Sequence, residues 1–364
     1  MLIKEIIHHL ESFAPSAYQE SYDNARLITG NKNWECTGAL TTLDCLENTV
    51  EEAISKKCNL IVAHHPIVFS GLKSITGKNY IERTIIKAIK NDIAIYAIHT
   101  NLDNVDQGVN KVIADKLQLQ NQRILSPKKT MLKKLHTFCP VDKAATIRTA
   151  LFKAGAGNIG NYNNTSFNST GNGTFKANES AKPYVGDKGK LHTEKETKIE
   201  TVFEAYKQHQ IIKALIAAHP YEEVAYDIIS LDNQLDNVGS GIVGNLENAM
   251  PIKTFLNQLK TQFNCGCVKY TQAHKAEVSK IAVCGGSGSF LLNDAKAASA
   301  DVFITADYKY HQFFDADNQI VIADIGHYES EQYTANLLYE IITQKFSNFA
   351  VFISEINTNP VNYL

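Results

Sequence analysis

Short apolar runs alternate with amphipathic stretches along the first third of the chain. CTGALTTLD (36–44) has the length and β-branched content of a strand, and ENTVEEAISKKC (47–58) repeats its apolar residues at helical spacing. NLIVAHHP (59–66) reads as a strand that stops at Pro66, where the ladder loses an N–H donor. IERTIIKAIKN (81–91) predicts a helix, DIAIYAIHTNLD (92–103) a strand running into a loop, and QGVNKVIADKLQL (107–119) another helix. The pattern returns late in the chain. VSKIAVCGG (278–286), ADVFITAD (300–307), QIVIADIGH (319–327) and AVFISEI (350–356) read as strands. MPIKTFLNQLKTQF (250–263), SFLLNDAKAAS (289–299) and YESEQYTANLLYEIITQKF (328–346) read as helices. Such alternation predicts a mainly parallel sheet with helices on its faces.

The middle has another character. Residues 155–175, GAGNIGNYNNTSFNSTGNGTF, are dense in Gly, Asn, Ser and Thr, as a flexible loop would be. Ile159, Tyr162, Phe167 and Phe175 punctuate the stretch, as strands joined by tight turns would. Helical patterns lie on either side (142–155 and 206–219), and TKIETVFEAY (197–206) and EEVAYDIISLD (222–232) read as strands. The expectation is an α/β domain built from residues 1–127 and 236–364, interrupted by an α+β unit over 128–235.

Composition narrows the function classes. The 364 residues are 44% hydrophobic, and 36 basic residues against 38 acidic ones leave a net charge of −2. No basic surface suited to nucleic acid is implied, and no apolar run approaches the ~18 residues of a membrane helix. MLIKEIIHHLESFAP reads as an amphipathic helix rather than a secretory leader. Seven cysteines, an odd number, fit free thiols in a reducing cytoplasm. Cys265-Gly-Cys267 has no second cysteine pair to complete a zinc site.

Metal-ligand residue types gather at the predicted strand ends. His64 and His65 close an apolar strand, and Asp103 lies just past another. His327 and Glu331 stand four apart at the start of a long helix, on one face of it. In parallel α/β sheets, ligands bind beyond the carboxyl ends of strands. Adjacent residues of an extended segment point to opposite sides, so His64 and His65 suit two metals better than one unless the backbone bends. Imidazole with carboxylate suits Zn, Fe, Mn or Ni. Five side chains cannot fill two shells, which leaves open positions of the catalytic kind. His99 could orient a ligand or move a proton, and His311 could face the same rim. His8, His9, His136, His192, His209 and His274 read as ordinary. The turn Gly285-Gly286-Ser287-Gly288, between a strand and a helix, is a candidate anion cradle, although it matches neither nucleotide-binding fingerprint.

VAHHPIVFSGLKSI, YAIHTNLDN, IAVCGGSGSFL, DVFITADYKYHQ and DIGHYESE, in this order, resemble the Nif-three-like family of dinuclear-metal proteins, whose members carry the name GTP cyclohydrolase 1 type 2 homolog. The resemblance covers nearly the whole chain. It implies that His64, His65, Asp103, His327 and Glu331 hold two divalent metal ions. ALFKAGAGNIGNYNNTSFNSTGNGTF and IAAHPYEEVAYDII resemble the inserted module of the longer members, which implies a PII/CutA-like, ferredoxin-type fold there. His219, Glu222 and Glu223 of AHPYEE then belong to the insert's structure rather than to the metal site. The family also implies a homohexamer, a trimer of dimers. The chain departs from the family pattern at Ala25-Arg26 and in VGSGIVGNL, which lacks an Arg after its second Gly; neither change removes a ligand.

Three functions are consistent with this. The first is a metal-dependent hydrolase that opens a purine nucleotide ring such as that of GTP, with His99 shuttling a proton and the 285–288 turn holding phosphate. The second is a two-metal phosphoesterase. The third is a metal-binding or regulatory scaffold without catalysis.

Overall fold

Three strands buried along their whole length, Ala39–Thr42, Leu60–Ala63 and Ala94–Ala97, define the first sheet. Continuous burial is what a parallel strand covered on both faces requires. A computed structural model, which describes residues 1–273 and 275–364, pairs these three in parallel and adds Val351–Ile353, also parallel, beside Ala39–Thr42. Leu27–Thr29 closes the other edge in antiparallel pairing. Helices Glu47–Ser55 and Tyr80–Lys90 cover one face, with Val50, Ala53, Ile85 and Ala88 packed on Leu40, Ile61 and Ile95. The second helix starts where Asn79 Oδ1 accepts the Glu82 N–H at 2.9 Å, satisfying a donor that the helix itself leaves open. His274 lies outside the described residues.

A second sheet runs Lys269–Tyr270, Val321–Asp324, Val302–Ala306, Glu277–Ser287, Gly239–Pro251, Gln120–Pro127. Its central pairings are parallel and its outer ones antiparallel. The core beneath it includes Phe303, Ile322, Ala282, Val243 and Leu291. The protein is thus a mixed α/β structure whose first two sheets are parallel at their centres. The apolar pattern showed one sheet because the antiparallel strands are diluted. Gly239, Gly241 and Gly244 interrupt one, and QNQR opens the other. The long helix expected from 328 is two helices, His327–Glu331 and Thr334–Lys345. Between them, Gln332 and Tyr333 turn their side chains to the carbonyls of Phe263 and Gln262.

The chain divides into two compact units, Met1–Pro127 with Asp236–Leu364, and Lys128–Leu235. The second unit has four strands, Leu132–Pro140, Phe167–Lys176, Leu191–Glu204 and Tyr226–Leu231. Their sheet order is second, third, first, fourth, and every pairing is antiparallel. Helix Ala144–Lys153 follows the first strand, and helix Gln208–Ala218 follows the third. Together they make a ferredoxin-like βαββαβ fold. Ile147, Leu151, Ile211 and Leu215 pack on Leu135, Ile199 and Phe203. The Gly/Asn-rich stretch is ordered within it: Ile159 and Tyr162 bridge, and Phe167 and Phe175 belong to one strand.

Among the described residues no helix is long and apolar enough to cross a membrane. The seven cysteines are free; Cys267 is exposed and the others are buried.

Candidate metal centre

The first sheet delivers two histidines directly. After Ala63 the backbone stays against its neighbour, with the His64 and His65 N–H groups donating to Thr42 O at 3.1 Å and Leu43 O at 2.9 Å. Their rings nevertheless lie 4.9 Å apart, with planes inclined at 45°, so both reach the same rim. Asp103 ends a single helical turn, Thr100–Asp103. Asn101 ties that turn to Ala14 O at 2.7 Å, and Asn110 donates to Asp103 O at 3.0 Å. His327 and Glu331 share one face of their short helix, whose Nε2 and Oε2 atoms are 3.0 Å apart.

Two triplets of ligand atoms result. His64, Asp103 and Glu331 form one, and His65, His327 and Glu331 the other, each within 4.8 Å. Glu331 belongs to both, with His64 in the first and His65 in the second. His99 forms a further group with His64 and His65. In the first triplet, His64 Nε2 and Asp103 Oδ1 are buried, 3.5 Å apart, and lack hydrogen-bond partners. Two buried acceptors facing each other are unfavourable, and a cation between them removes the penalty. In the second triplet, His65 Nε2 lies 2.9 Å from Glu331 Oε2 and 3.4 Å from His327 Nε2. Nitrogen and oxygen donors converging in this way fit a divalent metal of the Zn, Fe, Mn or Ni type.

Every histidine of the cluster has its Nδ1 bound to an oxygen acceptor. His64 Nδ1 bonds Ile98 O at 2.9 Å, His65 Asp44 at 2.8 Å, His99 Asp23 at 2.8 Å and His327 Asp307 at 2.7 Å. Carboxylates and carbonyls only accept, so they place the proton on Nδ1 and turn Nε2 to the centre, as in carboxylate–histidine–metal triads. Asp23, Asp44 and Asp307 escaped the sequence reading. Asp44 and Asp307 end the runs TTLD and FITAD, so their position just past a strand was the signal available.

Charges are displaced throughout the site. Burial pushes His64 down to about 3, so it is neutral near pH 7. Burial opposes the charge on His65 and His327, but their carboxylate neighbours prevail and hold the rings up, at about 9 and about 11. Burial and the nearby Glu331 raise Asp103 well above the usual carboxylate range. Glu331 itself, although burial opposes it, is kept low by His327 and His65. Asp23 is likewise held down at about 2, where hydrogen bonds from His99 and Thr100 outweigh burial.

The glycine-rich turn, the expected anion cradle, also lies against the metal centre. The N–H groups of Gly285, Gly286 and Gly288 already donate to Asn110 Oδ1, Ser330 Oγ and Thr305 Oγ1, at 2.9, 3.0 and 2.9 Å. Gly286 has φ +59, and a Cβ there would lie 2.5 Å from Glu331 Oε1. The absent side chain lets the backbone press against the shared carboxylate. Ser287 lines a cavity beside the site. His311 lies at the surface and meets Tyr310 edge to face, with ring centroids 5.2 Å apart, and joins neither triplet.

Two cavities meet at His65 and His327. One, of about 370 Å³, is walled by Tyr22, Phe69, Phe290 and His99 and reaches Asp103 and Glu331. The other, of about 550 Å³, is lined by Asp44, Asp307, Glu329 and Tyr363. The model of the Duf34/NIF3 (NGG1p interacting factor 3) family matches residues 1–360. The chain belongs to this family. Among NIF3 relatives, a GTP cyclohydrolase 1 type 2 homolog of Bacillus subtilis (strain 168) is 38% identical, covering 99% of this chain and 98% of the relative. A protein of the same name from Staphylococcus epidermidis is 36% identical over the full length of both. The crystal structure of a Bacillus cereus protein related to NIF3 superposes with a TM-score of 0.86 at 37% identity, covering 100% of this chain and 99% of that one. Staphylococcus aureus protein SA1388 superposes at 0.80 with 30% identity and the same coverage.

Proposed function

We propose that this NIF3-family chain holds two divalent cations, one among His64, Asp103 and Glu331 and one among His65, His327 and Glu331, and hydrolyses a small planar substrate beside them. The observation that carries the reading is the shared Glu331 between two triplets, one of which contains buried, unpaired acceptor atoms. Cations bound there would supply Lewis acidity and bring the ionisation of water toward neutral pH. The chain's own groups do the rest. Asp23 fixes the His99 ring 5.2 Å from that of His64, at the wall of the aromatic cavity. From that position His99 takes the proton released when water adds to the substrate. Tyr22, Phe69 and Phe290 present exposed rings that suit the faces of a flat heterocycle. A purine nucleotide is therefore the first substrate class, and the name that the relatives share supports it.

The test is incubation of the metal-loaded chain with GTP, followed by mass spectrometry for a ring-opened product and an assay for formate. The Glu331→Ala variant, treated identically, controls for contaminants. Ring opening by the wild type alone is expected. Release of inorganic phosphate without ring opening would select phosphoester hydrolysis. Full metal occupancy with no turnover of either kind would overturn the hydrolase reading in favour of a non-catalytic scaffold.

A further inference from the structure

The ferredoxin-like unit contains a cavity of its own, of about 670 Å³. That volume is in the range of small-molecule sites. The cavity lies on the face of the sheet that the helices leave open. Along Leu191–Glu204 the helix-covered residues are Thr197, Ile199, Thr201 and Phe203, and Glu196 alternates with them onto the opposite face. Segment 177–185 contributes a wall on that side.

Its lining is aromatic and acidic. Phe138, Phe175, Tyr184 and Tyr221 supply rings, and Tyr184 and Tyr221 lie 6.1 Å apart with planes inclined at 49°. The Tyr221 hydroxyl donates to Glu196 Oε1 at 2.8 Å and so orients that carboxylate. Glu196 Oε2 lies across Gly173, where a Cβ would come within 2.0 Å of it. The neighbouring carboxylates of the same strand have basic partners: Glu194 lies 2.9 Å from His192 Nε2, and Glu200 lies 2.9 Å from His136 Nε2 and 2.8 Å from Lys198 Nζ. Among the described residues Glu196 has no such partner. Glu222 and Glu223 add negative charge to the lining, against Lys176 alone. His219, beside Tyr221, contributes no charge. Burial lowers its pKa, its Nε2 bonds Phe138 O at 2.9 Å, and its Nδ1 accepts the Tyr221 N–H at 3.1 Å.

We infer that this cavity binds a small organic cation, with its ammonium or guanidinium head held by Glu196 against the rings of Tyr184 and Tyr221. An oriented carboxylate without a basic partner supplies the charge-assisted hydrogen bond, and aromatic faces attract the same charge. Phe138 and Phe175 offer apolar surface to the body of the molecule. This site is independent of the metal reading, because every residue in it belongs to the inserted unit.

The test is titration calorimetry on the full chain with agmatine, choline and spermidine. Citrate and AMP serve as anionic probes, and magnesium and zinc chlorides as inorganic cations. At least one organic cation is expected to bind saturably, with a Kd below about 1 mM. Glu196→Gln keeps an acceptor for Tyr221 but removes the charge, and is expected to weaken binding about tenfold or more. Gly173→Ala, which drives the carboxylate from its place, is expected to do the same. Both variants should retain the wild-type melting temperature. No binding by any organic cation, equal binding of it by Glu196→Gln, or an affinity for the anions or inorganic ions that changes in Glu196→Gln would overturn the assignment.

Discussion

Replacing Gly286 by alanine perturbs the metal centre without altering a ligand. Gly286 sits at φ +59, where a side chain costs roughly 1–2 kcal/mol. The new Cβ would lie 2.5 Å from Glu331 Oε1 and 3.2 Å from His327 Cε1. Glu331 is 3% exposed and is held by His65 and His327, so it has no solvent to swing into. Relieving the contact requires a shift on the order of 1 Å, against a tolerance of about 0.5 Å for a working ligand set. Overpacking adds about 1–3 kcal/mol to the backbone strain, for a total of roughly 2–5 kcal/mol. At about 2–4 °C per kcal/mol for a unit of this size, the metal-free protein should melt roughly 4–20 °C lower. Affinity for both cations should fall by about 10–100-fold, as when ligand-supporting residues are removed. Calorimetric melting gives the first quantity. Metal per chain against a competing chelator, by plasma mass spectrometry, gives the second. Wild-type affinity for both cations in Gly286→Ala would refute the reasoning, because it would mean that the turn does not position Glu331. Lost anion binding with unchanged metal content would restore the anion-cradle reading of 285–288.

Further outcomes follow from the same geometry. Asp44→Ala frees the His65 ring and should weaken the cation at His65 and His327 by about 10–100-fold while leaving the one at His64 and Asp103 in place; spectroscopic titration with cobalt should then show two separated steps, and one unchanged step would contradict it. His65 and His327 are held up at about 9 and about 11 in the metal-free protein, above the ordinary value near 6.5. Their contribution to stability is therefore full below about pH 6.5 and fades as pH rises through the 9 to 11 range. A cation must displace those protons, so affinity should rise with pH and binding near pH 7 should release protons. Calorimetry in buffers of different ionisation heat measures the release, and finding none would count against both histidines as ligands. Asp23, held down at about 2, contributes stability above its ordinary value near 3.9 that is lost as pH falls toward 2. The melting gap between wild type and Asp23→Ala should thus narrow as pH drops from 5 to 3. Turnover by Asp23→Ala should fall with metal content unchanged, and a loss of metal would instead make His99 a ligand.

Local periodicity made most of the α/β core legible, because Ala39–Thr42, Leu60–Ala63, Ala94–Ala97 and Val302–Ala306 are short runs of apolar and β-branched residues without a charge. It did not reveal Gly239–Pro251 and Gln120–Pro127, whose strand character comes from cross-strand pairing rather than from apolar content. Donor chemistry was legible too, since His64, His65, Asp103, His327 and Glu331 stand at strand ends and at a helix start. Tertiary structure alone decided how these donors group. Glu331 lies 266 residues from His65 in sequence, yet its carboxylate is 2.9 Å from that ring. The purposes of Asp23, Asp44 and Asp307 were hidden for the same reason, because a side chain that orients a histidine carries no local pattern of its own. The glycine turn shows the limit most directly. Its sequence determined that the backbone could come close to something, and only the fold brought a buried carboxylate against it.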